Sequence, residues 1–299
     1  MSDWEYQAVS GAAPAMMGQS TVPQDLAGVP GPDLPSKAGT RRVEHIMGMP
    51  IAIDVRDTEL EASVVDRAFT WFRFVDSTFS TFKAGSEISR LNRGELQLHD
   101  AHPDVQWVLA RCEELRLATA GYFDVRAPYA RRDREPLLPG DGGGRDAVDP
   151  SGLVKGWSVD RAALLLDEAG ARHYYINAGG DIRVKGFPWP RLRWSIGIQH
   201  PILRDKLAAV IETTDLAIAT SGTYERGSHI VDPHTGLPPQ GVLSVTITGP
   251  GLAIADAYAT AAFAMGKAGP AWTARLVGYE AMTILDDDTV LSTPGFPVG

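Results

Sequence analysis

Apolar residues recur at helical spacing over residues 60–79, where Val65, Phe69, Phe72, Val75 and Phe79 fall on one face. The same period returns over 104–119 through Val105, Leu109, Cys112 and Leu115. Both stretches predict helices. A third helix is predicted from about Ser158 to Ala169, with Gly170 as its stop. A fourth, rich in small residues, runs from about Ile254 to Met265 and ends at Gly266, and another lies near Pro270–Val277. Shorter alternating runs predict strands at Tyr174–Asn177, Ile182–Lys185, Trp194–Ile198, Ala208–Thr213, Leu216–Thr220, Leu243–Thr248 and Met282–Leu285. Glu44–Val55 is predicted as two short strands around a turn. Strand runs mixed with helices, without regular βαβ alternation, indicate the α+β class.

The first forty residues, rich in Gly, Pro and Ala, show no steady period and are expected to form a disordered or loosely attached tail. Residues 41–299 are then one domain. Residues 127–148, with Arg131, Arg132, Arg134 and Gly142-Gly143-Gly144, are expected to form a basic surface loop.

Composition narrows the functional classes. The chain has 299 residues, 44% hydrophobic and 22% charged, enough apolar material for a core. The net charge of −9 argues against nucleic acid as a partner. An acidic protein that binds an anionic nucleotide needs local neutralisation by a metal, backbone N–H groups or single basic side chains. No apolar run is long enough to span a membrane. Neither a positive start followed by an apolar run nor an early cysteine is seen, so a cytoplasmic location is expected. Cys112 is the only cysteine, and its place on the apolar stripe makes it a core residue.

Four constellations have chemical potential, each beside a plainer reading. Asp256 and Thr260, four apart on a helix, share a face and offer oxygens to a hard cation such as Mg²⁺. Equally, Asp256 is a dipole partner near the helix start and Thr260 bonds back to a carbonyl. Asp149 to Gly156 contains glycines that allow close approach and a lysine, Lys155, suited to a phosphate; the alternative is a turn entering a helix. Asn177-Ala178-Gly179-Gly180-Asp181 is either a hairpin turn or a backbone surface for a flat ligand. Thr220 to Gly236 concentrates hydroxyls, His229, His234 and Asp232. Histidine ordinarily titrates near neutrality, so His229 suits a general base, while Ser221, His229 and Asp232 as a hydrolase triad lack a nucleophile elbow.

The order of the motifs is more specific than any one of them. Met47-Gly48-Met49 comes first, then Phe79-Ser80-Thr81-Phe82 leading to Ser86-Glu87-Ile88-Ser89-Arg90-Leu91-Asn92, then Gly121-Tyr122-Phe123-Asp124. Asp149 to Gly156 with Asp160, the Asn-Ala-Gly-Gly-Asp run, Thr220-Ser221-Gly222, His229-Ile230-Val231-Asp232-Pro233 and Asp256 with Thr260 complete the series. Over roughly residues 44–290 this order closely resembles the ApbE family of FAD:protein FMN transferases.

The resemblance implies an α+β fold with mixed sheets and an FAD cleft between two lobes. It implies a reaction in which a Thr or Ser hydroxyl of a target flavoprotein attacks the FMN-side phosphate of FAD and AMP leaves. It assigns Mg²⁺ to the side chains of Asp256 and Thr260, the carbonyl of Gly152 and a backbone contact from Ala259. Met47, Phe82, Tyr122, Phe123, Asp124, Asp149, Lys155 and Ile230 match FAD-contact positions, and His229 matches the histidine that helps activate the acceptor hydroxyl. Three departures stand out. Phe82 occupies a position where many relatives have Tyr, Met49 replaces a common Thr, and the segment from Tyr224 to His229 is short. An FAD pyrophosphatase and a non-enzymatic FAD-binding or delivery protein are the competing readings.

Overall fold

The computed structural model describes residues 7–8, 39–126, 147–223 and 230–298. Most of the expected tail and of the basic loop lies outside the described residues.

β2 (Thr40–Ile46) and β3 (Met49–Val55) form the predicted hairpin. Its two-residue turn, Met47-Gly48, has positive φ at both positions (55° and 72°), the conformation whose twist suits adjacent antiparallel strands. The main helices follow the predicted periods: α1 (Ala62–Phe79) and α3 (Pro103–Ala118), separated by the short α2 (Glu87–Asn92). Then come α4 (Ser151–Glu168), the hairpin of β4 (Tyr174–Ala178) and β5 (Asp181–Lys185), the pair β6 (Trp194–Gln199) and β7 (Leu207–Thr213), and β8 (Leu216–Gly222) with β9 (Val242–Gly249). α5 (Leu252–Ala264), α6 (Gly269–Thr273), β10 (Glu280–Leu285) and β11 (Val290–Ser292) complete the chain.

Among the described residues the strands form a sheet ordered β1-β11-β10-β9-β8-β5-β4-β3-β2 and a separate β6-β7 ribbon. β1 is Gln7–Ala8, which pairs with β11 from within the expected tail. The α+β class holds. Every described pairing is antiparallel, which replaces the expectation of mixed sheets. Short turns link β2 to β3 and β4 to β5, whereas a parallel neighbour needs a long crossover.

Both faces of the main sheet are covered. Ile51, Ile53, Tyr174, Ile176, Ala217, Ala219, Val245 and Ile247 pack against α1, α4 and α5. Ile182, Val184, Ile218, Met282 and Ile284 face the other way, against Trp194, Ile196, Ile198 and Ile211 of the ribbon. Cys112 is buried in a second helical cluster with Val108 and Leu115. Burial pushes its thiol up to about 12. The folded protein is therefore expected to resist iodoacetamide at pH 8, with alkylation appearing only in denaturant. Rapid modification of the native chain, read by mass spectrometry, would contradict this placement.

Candidate active site

α4 begins at Ser151, not near Ser158 as the sequence predicts, so Gly152, Lys155 and Gly156 lie on its first turns. Glycine is a poor helix former, and its presence here has a packing cause. A Cβ on Gly156 would lie 2.5 Å from Leu252 O and 3.0 Å from Ala253 Cα, so α4 and α5 cross at backbone contact. A Cβ on Gly152 would lie 3.2 Å from Phe123 Cε2 and 3.5 Å from Thr260 Oγ1. Asp160, further along α4, reaches the start of α5: its two oxygens accept from Leu252 N at 3.0 Å and Ala253 N at 2.8 Å. These bonds satisfy exposed donors of a helix whose own N-cap, Gly251, supplies no side chain. Burial raises the Asp160 pKa against the lowering effect of the two N–H groups.

The crossing gathers charge. Asp256, 3% exposed on α5, accepts from Gly156 N at 3.1 Å. Gly156 N–H is also the donor that helix geometry assigns to the Gly152 carbonyl. Sharing that donor leaves the Gly152 carbonyl with acceptor capacity. Lys155 Nζ lies 2.9 Å from Asp181 Oδ2 and 3.7 Å from Asp256 Oδ1. Asp181 is fully buried, and its Oδ1 accepts from Thr220 N at 3.3 Å. Burial raises its pKa, with Lys155 pulling in the opposite direction. From sequence alone Asp181 belongs to a turn motif and has no assigned role. The signal was present in its carboxylate, one residue beyond two glycines.

The remaining motif residues build the surround. Ser86 caps α2 by accepting from Ser89 N at 3.0 Å, and Ser80 Oγ accepts from Phe82 N at 3.2 Å. Together they shape the loop that holds Phe82 at 82% exposure. The amide of Asn92 clamps the chain before α4, donating to Val148 O at 2.9 Å and accepting from Val148 N at 2.8 Å. Asp149 follows and accepts from Ser151 N at 3.1 Å, at the head of α4. Thr119 Oγ1 accepts from Phe123 N at 3.0 Å and fixes the turn through Gly121. In that turn Tyr122 meets the His234 ring edge-on at 4.6 Å, and Asp124 accepts from Arg126 N at 2.9 Å.

The predicted residues therefore divide. Gly152, Lys155, Asp256 and Thr260 converge, with Phe123 buried behind Gly152. Ala259 and Ile230 are core residues, at 0% and 5% exposure, and Met47 packs half-buried at its hairpin turn. His229 lies outside the described residues. A cavity of about 470 Å³ opens on the opposite face of the sheet, lined by Tyr175, Asn177, Trp194 and Thr220 and by no residue of α4 or α5. Among the described residues no three His, Cys, Asp or Glu side chains form a metal cluster. The donors at the crossing are instead a carboxylate, a hydroxyl and a carbonyl. All are hard oxygens, a set that fits Mg²⁺ completing its shell with water and phosphate.

The model of the ApbE family matches residues 47–129 and 142–283. The chain belongs to the ApbE family. An FAD:protein FMN transferase of Vibrio cholerae is 30% identical over 279 residues, covering 78% of this chain and 80% of that protein. One from Haemophilus influenzae is 29% identical, covering 64% and 70%. The solved flavin transferase ApbE from Vibrio cholerae superposes with a TM-score of 0.73 at 26% identity, covering 86% of this chain and 97% of that one. The ApbE protein of Thermotoga maritima, at 22% identity and a TM-score of 0.74, shares the fold. No helix among the described residues of this ApbE-family chain is long and apolar enough to cross a membrane.

Proposed function

We propose that this chain is a Mg²⁺-dependent FAD:protein FMN transferase acting on a Thr or Ser hydroxyl of a target flavoprotein. The observation that supports it best is the convergence of Gly152, Lys155, Asp256 and Thr260 at the α4–α5 crossing of an ApbE-family chain. Asp256, Thr260 and the Gly152 carbonyl would hold Mg²⁺, with Ala259 giving a backbone contact. When bound, Mg²⁺ supplies charge neutralisation for the pyrophosphate. Lys155, partly exposed and backed by two carboxylates, would meet a phosphate oxygen. Phe82 offers a face for a flat ring without the hydroxyl of a tyrosine. Met47, Tyr122, Phe123, Asp124, Asp149 and Ile230 form the rest of the FAD surround.

The acceptor hydroxyl oxygen forms a bond to the FMN-side phosphorus. The bond from that phosphorus to the bridging oxygen breaks, and AMP leaves with the electron pair. The hydroxyl proton passes to a base, a role we give to His229. Positioning and charge neutralisation are what such a transfer needs most. Residues 41–299 act as the single catalytic domain.

The test is chromatography of the purified chain with FAD, with and without Mg²⁺, alone and with an acceptor domain. Metal-dependent AMP release with an acceptor heavier by the mass of FMN is expected. AMP with free FMN and an unmodified acceptor would instead indicate a pyrophosphatase. Intact FAD in every tube would defeat both and leave flavin binding.

A further inference from the structure

We infer that Asp160 is a positioning residue for the cation site: by tying the start of α5 to α4, it sets where Asp256 and Thr260 stand relative to the Gly152 carbonyl. The inference rests on the Mg²⁺ and FAD reading above.

Three positions four apart on α4 meet three positions four apart on α5, in reverse order. A Cβ on Gly152 would lie 3.5 Å from Thr260 Oγ1. Gly156 N donates to Asp256 Oδ2 at 3.1 Å. Asp160 Oδ1 accepts from Leu252 N at 3.0 Å. The two helices therefore run antiparallel along one contact stripe. Packed helices are ordinarily held in register by side chains that interdigitate. Gly152 and Gly156 have none, so two of the three α4 positions offer α5 a smooth surface. Of the three, only Asp160 has a side chain, and both its oxygens are committed to α5, the second accepting from Ala253 N at 2.8 Å. The chain entering α5 is held from other sides as well. Arg183 Nη1 donates to Pro250 O, and Tyr279 Oη donates to Gly251 O at 3.4 Å. Asp256 and Thr260 follow Leu252 by one and two turns of the same helix, ~6 and ~12 Å along its axis. A slip or tilt at the start of α5 is therefore carried to both. Mg²⁺ requires oxygens at about 2.0–2.1 Å in near-octahedral order, whereas Ca²⁺ accepts longer bonds and irregular shells. Displaced ligands should thus cost Mg²⁺ more than Ca²⁺.

The test uses the full chain as Asp160→Asn and as the double variant Asp160→Asn with Gly251→Ser. Asn keeps one accepting oxygen and turns an NH₂ toward the other helix N–H. Ser at the N-cap supplies an acceptor from within α5, with no tie to α4. Gly251 is extended, at φ −137°, and a Cβ there would have Tyr279 Oη as its nearest neighbour, at 3.5 Å. Two quantities are read on folded protein, well below each thermal midpoint. One is the Mg²⁺ concentration giving half-maximal AMP release. The other is the binding of Mg²⁺ and of Ca²⁺ to the FAD-free protein by calorimetry. Asp160→Asn is expected to raise the Mg²⁺ requirement and weaken Mg²⁺ binding ~10-fold, the low end of the cost of losing a supporting partner of a metal site. Ca²⁺ binding should stay within about 3-fold of wild type. The double variant should regain thermal stability and keep the raised Mg²⁺ requirement. An unchanged Mg²⁺ profile in Asp160→Asn overturns the inference. So does an equal loss for both cations, which would trace to the removed charge rather than to position. So does a double variant with the wild-type Mg²⁺ requirement, because satisfying the N–H groups of α5 would then suffice. If Asp160→Asn does not fold alone, the double variant is compared with wild type by the same criteria. A wild-type chain that leaves FAD intact at every Mg²⁺ concentration fails the transferase reading itself, before any variant is compared.

Discussion

Replacing Asp256 with Ala is expected to lower the rate of FAD cleavage by ~10³-fold or more, about 4 kcal/mol of barrier. The size follows from its place. Asp256 is 3% exposed, stands one turn before Thr260 on α5, and lies 3.7 Å from Lys155 Nζ. A pyrophosphate carries concentrated negative charge, and Lys155 alone cannot neutralise it. Asp256→Asn serves as the control for folding. Its side-chain oxygen can still accept from Gly156 N, whereas the full charge is lost. Both variants should therefore lose AMP release, while Asn keeps a thermal midpoint nearer to wild type. An Ala variant that folds and releases AMP at the wild-type rate, with Mg²⁺ as the sole metal, would remove Asp256 from the site.

The second large effect is on the fold. Gly156→Ala is expected to destabilise the protein by about 2–3 kcal/mol, as overpacking of a tight core does. The added methyl would meet Leu252 O at 2.5 Å, Leu252 C at 2.8 Å and Ala253 Cα at 3.0 Å. These are backbone atoms at the start of α5, and no rotamer change can relieve them. In a chain of this size the loss corresponds to a fall of roughly 3–6 °C in Tm. The intrinsic gain of alanine over glycine in a helix, about 1 kcal/mol, works in the opposite direction and is outweighed. Because the start of α5 is also held by Asp160, relief by helix displacement would move Asp256 and Thr260 together. Activity should fall with stability. Calorimetry showing Gly156→Ala as stable as wild type would mean that the helices do not cross at backbone contact.

Periodicity was sufficient for much of the architecture. The stripes of α1 and α3, the β2–β3 hairpin and the strand runs after Gly170 are local patterns, since each element places its apolar residues by its own repeat. Motif order likewise points to the family.

The start of α4 was not legible. Gly152 and Gly156 read as loop residues, because propensity counts their entropic cost and cannot see the helix that they allow to approach. Asp181 was hidden for a related reason. Along β5, Asp181, Arg183 and Lys185 alternate with Ile182 and Val184, a pattern that from sequence places the charges in water. Here the apolar face meets the β6–β7 ribbon and the charged face meets α4 and α5, where Lys155 answers Asp181 and Asp167 answers Lys185. Alternation separates two faces but does not say which is covered, and a strand covered on both sides can bury a carboxylate beside a lysine 26 positions away in the chain only once the helices have packed.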